Sequence, residues 1–291
     1  MATLDGAPEQ AGPETGGRRR ALGRKQGHNW TLWIGGLFLL CLVAFAILWP
    51  RIGHKYDDPV GKPFEGPFGR FLFGTDEQGR DILSRLAYGA RYSLGIGLSV
   101  QLISLLLGIT VGVIGTFAPK WVRAPLLRFT DGMFAFPDIL LALLIISIWS
   151  PGWLPVLVAL SVTAWPAMAR LVVTQMATLK DREFVVAARA QGASTFYVVT
   201  RHILPQLWGI LLAVSMVDLA GTILAESTLS FLGIGVQPPD PSWGSMINGA
   251  RLNMNSYPVQ LVWPCLILVL TIYALNFVGD GLRAALDPKS R

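Results

Sequence analysis

The sequence predicts an all-α integral membrane protein with six transmembrane helices, and three observations carry that expectation. First, the 291 residues are 52% hydrophobic and only 14% charged, with a mean hydropathy of +0.50. A soluble domain of this size needs more charge to cover its surface, so lipid must cover what water does not. Second, the apolar residues fall into six long runs, at about 30–50, 93–117, 133–149, 153–176, 207–234 and 259–279. Third, the basic residues behind the net charge of +6 sit mostly in short segments between these runs. There they act as orientation signals rather than as a nucleic-acid-binding stripe.

Helices are the reading for each run because backbone groups in lipid must be satisfied within their own segment. A barrel would need roughly ten-residue alternating segments, and these runs are longer and continuously apolar. The first run, 30–50, covers about 31 Å as a helix, the thickness of a bilayer core. It exceeds the roughly 7–15 apolar residues of a signal peptide and ends in Trp49-Pro50-Arg51 without a cleavage motif, so it is a retained span. Residues 1–28, rich in Gly, Pro, Glu and Arg, read as a disordered tail ahead of a membrane domain over 29–291. Six spans put both termini on one side. With the N-terminus inside, the inner segments hold 16 Lys and Arg and the outer ones 8, seven of those in the long segment 51–92. The excess predicts cytoplasmic N- and C-termini.

Cys41 and Cys265 both fall inside apolar runs, and His28, His54 and His202 lie far apart. No metal site, disulfide framework or nucleophile–base pair is indicated.

Polar breaks and intramembrane charges carry the functional signal. The insert EFVVAARAQGASTFYVVTRHILP, 183–205, reads as a helix, a glycine turn and a second helix. Asp181 is the expected cap, with Glu183 favourable in the first turn. Phe184, Ala187, Ala188 and Gln191 recur at helical spacing and form a mostly small face. Gly192 is the expected stop, Ser194 or Thr195 the second cap, and Pro205 ends that helix or opens the next span. An alanine-rich face suits close approach by a partner protein, the alternative being a helix lying on headgroups.

In 51–92 a helical pattern from about Gln78, capped by Asp76 or Thr75, reads as an amphipathic helix on the outer surface. It either seals a pathway, touches a partner or packs on the spans, which makes Asp76, Gln78, Arg80 and Asp81 candidates for an outer gate. The 235–258 segment, with Pro238-Pro239-Asp240-Pro241, reads as a rigid turn near the outer mouth, and Trp243 as a contact or an interfacial anchor. Acidic residues inside spans are functional candidates by default. Asp138 sits near the edge of the third span and is better read as structural. Asp218 and Glu226 in the fifth lie about 12 Å apart along a helix and could flank one pathway-facing side.

The 183–205 insert resembles the cytoplasmic signature of ABC-importer permeases: E-A-A, three residues, Gly, nine residues, I-x-L-P. Aligned on Gly192, the alanines are Ala187 and Ala188 and the closing pair is Leu204-Pro205. The signature's glutamate falls on Val186 and its isoleucine on His202, so any ion pair made from the first position must be absent or supplied by Glu183. FGTDEQGRDILSRLAYGARYSL, 73–94, and LAESTLSFLGIGVQPPDPSWGSMI, 224–247, are similar to the same regions of dipeptide, oligopeptide and nickel permeases. The resemblance covers roughly 30–290. It implies a type I importer permease in the cytoplasmic membrane of a prokaryote. It also implies a homologous second permease, two ATP-binding subunits and an extracytoplasmic solute-binding protein, which Asp76, Gln78, Arg80, Asp81 and Trp243 would face. The ATPase-coupling region it implies comprises Glu183, Phe184, Val186, Ala187, Ala188, Gln191, Gly192, Ala193, Leu204 and Pro205. This chain has no G-x-x-x-x-G-K-[ST], so ATP and Mg would be bound by the partner subunits and no catalytic residue is expected here. Nickel chelates and glutathione-like solutes stay open beside peptides. An ion-coupled secondary transporter would instead predict inverted repeats and interrupted helices with convergent polar groups, and no clear internal repeat is visible.

Overall fold

The computed structural model describes residues 30–286. The tail 1–28 and the residues after 286 lie outside the described part. Among the described residues all regular structure is helical: α1 (Trp30–Ile52), α2 (Ile82–Phe117), α3 (Lys120–Met133), α4 (Asp138–Ile148), α5 (Trp153–Leu179), α6 (Glu183–Ala190), α7 (Thr195–Val198), α8 (Leu204–Phe231), α9 (Trp243–Leu252) and α10 (Val259–Leu286).

Among the described residues, five helices are long and apolar enough to cross a membrane: α1, α2, α5, the continuous Thr195–Phe231 and α10. The expected third span, 133–149, takes a different form. The chain bends by 92° between α3 and α4, because Pro137 caps α4 and biases Phe136 away from helix. The 11 residues of α4 reach only about 16 Å, roughly half a bilayer core. The pair makes a sixth span only if counted as one broken element.

α2 starts well before its apolar run. It has 36 residues, about 54 Å as a straight helix, and its first turns carry Arg85 and Arg91. Both charges are absorbed locally. The Arg85 guanidinium lies 3.4 Å from the Asp76 carboxylate and donates to the Tyr56 carbonyl at 3.0 Å. Arg91 Nε donates at 2.7 Å to the Ala46 carbonyl. That carbonyl has no helical donor because residue 50, four positions on, is proline. A side chain of α2 thus completes the end of α1.

α2 packs most extensively on α5. Gly108 and Gly112 make the close approach possible, since a β-carbon at either would collide with Met168 or Val172. This small-xxx-small spacing lets two backbones meet where lipid supplies no hydrophobic drive. Three apolar clusters follow. One joins α1, α2, α8, α9 and α10 around Trp243 and Ile223. A second joins α2, α4, α5 and α8 around Val100 and Leu229. The third, around Met176, Val185 and Ile203, ties α6 and α7 to α5 and α8.

Candidate functional site

The 183–205 insert is built as two short helices whose ends are closed by backbone and one hydroxyl. The cap on α6 is Arg182, not Asp181, and no side-chain hydrogen bond closes that end. At the other end Gly192, with φ +84°, completes a Schellman turn: its N–H donates to Arg189 O at 2.9 Å and that of Ala193 to Ala188 O at 3.1 Å. Ser194 then caps α7, accepting from the Tyr197 N–H at 3.3 Å. α7 runs through a π-helical turn, Val199–Ile203, directly into α8. The turn falls where Pro205 withdraws the donor that would have continued the α-helical ladder.

One side of the insert faces its own body. Val185 is fully buried, Phe184 and Ala188 are half-buried, and His202 sits between the rings of Phe184 and Tyr197 at 6.4 and 5.6 Å. The expected docking face, Phe184 with Ala187, Ala188 and Gln191, is therefore split. Phe184 and Ala188 hold the helix down, while Glu183, Val186, Ala187, Gln191 and Gly192 are exposed. Ala193 and Leu204 are half-buried and Pro205 is exposed. Val186 is 56% exposed, and two residues that the sequence did not single out join the outer surface, Phe196 at 78% and Tyr197 at 50%. Aromatic side chains on a polar insert were the available signal. Glu183 has no ion-pair partner among the described residues.

At the other end of α2 the 53–81 segment is folded inward. The cap of α2 is Asp81, which accepts from the Leu83 and Ser84 N–H groups at 3.2 Å each, so neither Asp76 nor Thr75 starts the helix. No separate surface helix begins at Gln78; the helical pattern there belongs to α2. Asp76 instead gathers the Gln78 and Arg80 N–H groups at 2.9 and 3.0 Å and the Arg80 guanidinium at 2.7 Å. Thr75 donates to the Lys62 carbonyl at 2.6 Å, and Gln260 Nε2 donates to the Thr75 carbonyl at 2.8 Å. Tyr56 donates to the Asp240 carboxylate at 2.8 Å, a bond that pushes its phenol up to about 12. Asp81 and Arg80 are buried, whereas Gln78 is exposed. Asp76, Gln78 and Arg80 line a cavity of about 580 Å³ that Pro239 and Asp240 also border.

The 235–258 segment is more than a turn, because α9 lies within it, closed by a reciprocal Ser242–Ser245 capping box. Trp243 is 0% exposed, donates from its indole to the Leu86 carbonyl at 3.3 Å, and packs in the core. It presents nothing to a partner or to headgroups.

The three acids expected within spans divide between two surroundings. Glu226 is 0% exposed in a cage of hydroxyls: Ser230 donates at 2.8 Å and Ser227 at 3.4 Å, and Ser93 and Ser242 also reach it. This carboxylate fastens α8 to α2 and to the start of α9, which suits a structural role. Asp218, half-buried in α8, and Asp138, exposed at the start of α4, both line a second cavity of about 340 Å³. The pair expected to share one face, Asp218 and Glu226, is thus divided, and Asp138 takes the second place beside Asp218. No group of three or more His, Cys, Asp or Glu suited to a metal ion occurs among the described residues.

Residues 104–291 match the family described as binding-protein-dependent transport system inner membrane component. Among curated relatives, the glutathione transport system permease protein GsiD of Pectobacterium atrosepticum is 38% identical, over 87% of this chain and 85% of its own length. The di/tripeptide transport system permease protein DppC of Pseudomonas aeruginosa is 39% identical, over 88% of each. Among solved structures, an inward-facing form of the MetNI methionine ABC transporter superposes with a TM-score of 0.59 over 70% of this chain and 96% of that one, at 20% identity. That likeness is one of fold. Together with the long apolar helices, these matches place the chain in the family of binding-protein-dependent transport system inner membrane components, as a multi-pass membrane protein.

Proposed function

We propose that this chain is one of two permease subunits of an ATP-driven importer that carries dipeptides and oligopeptides across the cytoplasmic membrane, with both termini on the cytoplasmic side. Partner subunits bind and hydrolyse ATP with Mg, a solute-binding protein delivers cargo on the opposite face, and α6 is the contact through which the ATPases move the spans. The observation that carries this reading is the build of α6. It is a short helix held to its own body by Val185, with Val186, Ala187 and Gln191 exposed and Gly192 free, among the described residues, of neighbours within 4 Å of a β-carbon position. Such a surface admits another backbone closely, and its anchoring transmits a push to α5 and α8. A partner that binds one state of the spans better than the other shifts their equilibrium by that difference in affinity.

The relatives named for di- and tripeptides and for glutathione, itself a tripeptide, support a small peptide as cargo. The test is to express the tagged chain with its genomic neighbours, purify the assembly in detergent, and reconstitute it with the binding protein. Co-recovery of ATP-binding subunits and ATP-dependent uptake of a labelled dipeptide are expected. Recovery of the chain alone, with uptake driven by an ion gradient, would overturn the reading.

A further inference from the structure

The 340 Å³ cavity lies about midway along α2 and α8 and is bordered by α4 and α5. Its two carboxylates, Asp138 and Asp218, have no ion-pair partner among the described residues, and no Lys, Arg or His lines it. Asp138 has a local explanation, because a carboxylate in the first turn of α4 is favoured by the helix dipole. Asp218, in the interior of α8, has none.

A third group makes the arrangement more than a pair of acids. Gln101 of α2 lines the same cavity, is 6% exposed, and neither its amide oxygen nor its amide nitrogen has a hydrogen-bond partner among the described residues. A buried amide left unpaired is unfavourable, and native chains keep one where something else completes it. Two acids and an amide oxygen, with no base facing them, offer acceptors to a group that is cationic and rich in N–H donors. A bare divalent ion is a poorer fit, since no group of three or more His, Cys, Asp or Glu suited to a metal ion occurs among the described residues. A protonated amine, with three N–H donors and one charge, meets the set.

We propose that this cavity is a site for a protonated amine of the transported solute, with Asp138 and Asp218 as counter-charges and Gln101 accepting one of its hydrogen bonds. That the amine is the amino terminus of a peptide rests on the import reading above; the cation site itself does not.

The experiment separates the two. In the co-purified complex, with Cys41 and Cys265 replaced by alanine, Ala225→Cys places a thiol on the cavity wall. Its rates of modification by 2-aminoethyl methanethiosulfonate, an ammonium, and by the anionic sulfonatoethyl reagent are compared. The cationic reagent is expected to react faster by about tenfold or more, as for charge focused in a cleft. The ratio should collapse toward unity in Asp138→Asn/Asp218→Asn, and fall partway in Gln101→Leu. A ratio unmoved by the Asn changes, or a thiol inert to both reagents because the second permease fills the space, would overturn the site. In the same complex without the cysteine, a dipeptide with a free amino terminus should be taken up in preference to its N-acetylated form, and the double Asn variant should lose that preference. Equal uptake of the two forms by the unmutated complex would overturn the amino-terminus assignment. A carboxylate-dependent thiol ratio in a complex that imports no peptide would leave the cation site standing and remove the peptide reading.

Discussion

The α6–α7 insert and the 53–81 segment lie at opposite ends of α2, and both are polar breaks between apolar helices, yet they dispose of their polar groups in opposite ways. In 53–81, Asp76, Thr75, Arg80 and Tyr56 bond to one another's backbones and to residues on α2, the 235–258 segment and the start of α10. In α6–α7 the backbone closes its own turns, while Glu183, Gln191 and the aromatic Phe196 point outward. Charge in a break between spans therefore does not by itself mark a contact. What marks one is charge and apolar surface that the chain's own structure leaves unused.

The largest break in this comparison comes from Trp243. Because its indole is wholly enclosed at the 53–81 end, Trp243→Ala should lose about 3–5 kcal/mol of stability. Thermal unfolding in detergent and the yield of monodisperse protein measure this. A variant of unchanged stability would mean that the ring is not packed as described.

The opposite prediction holds at the other end. Ala187→Glu replaces an exposed methyl group, so the unfolding midpoint should stay within error. Co-recovery of the ATP-binding subunits should fall by tenfold or more, about 1.4 kcal/mol of association. If the midpoint drops while recovery is retained, α6 is a packing element and the contrast between the two ends disappears.

Asp81→Ala belongs with the inward-folded end and should cost about 1 kcal/mol, the loss of a helix cap. ATPase recovery should be unchanged, because the cap lies at the far end of α2 from α6. Asp81→Asn should restore most of the loss, since an amide oxygen still accepts the Leu83 and Ser84 N–H groups.

Much of this was legible in the sequence where one physical term dominates. Long apolar runs located α1, α5, α8 and α10 because lipid tolerates no other solution, and Gly192 announced its turn because few other residues take that conformation. A helix from about Gln78 was legible, but not that it is the start of α2, because Arg85 and Arg91 interrupt the apolar pattern, and what satisfies them, Asp76 and the carbonyls of residues 46 and 56, is distant in sequence. The same holds for Trp243, whose burial depends on α2 and α9 meeting. The break at 134–137 was foreshadowed by Pro137 but masked by the apolar residues on both sides. At the cavity, neither Gln101 nor the Gly108-x-x-x-Gly112 stripe was singled out in the sequence, although a lone amide among apolar neighbours and a small-residue spacing were the available signals. That Gln101 and Asp138 face Asp218, rather than Glu226 doing so, follows only from how α2, α4 and α8 pack.

The smallest effect tests the finest point, whether Gly192 serves the insert through its conformation or through the space it leaves. Its φ of +84° is a left-handed value that asparagine adopts at little penalty and a β-branched residue resists. Among the described residues nothing lies within 4 Å of where a β-carbon would sit, so a side chain there meets no obstacle from them. Gly192→Asn should therefore cost a few tenths of a kcal/mol in stability, and Gly192→Val more. If conformation is what matters, the Asn variant should recover ATP-binding subunits nearly as well as the unmutated chain, and the Val variant should not. If instead both variants lose them equally while both remain folded, the missing side chain is serving a surface outside this chain. Gly192 would then be part of the contact itself rather than the turn that positions it.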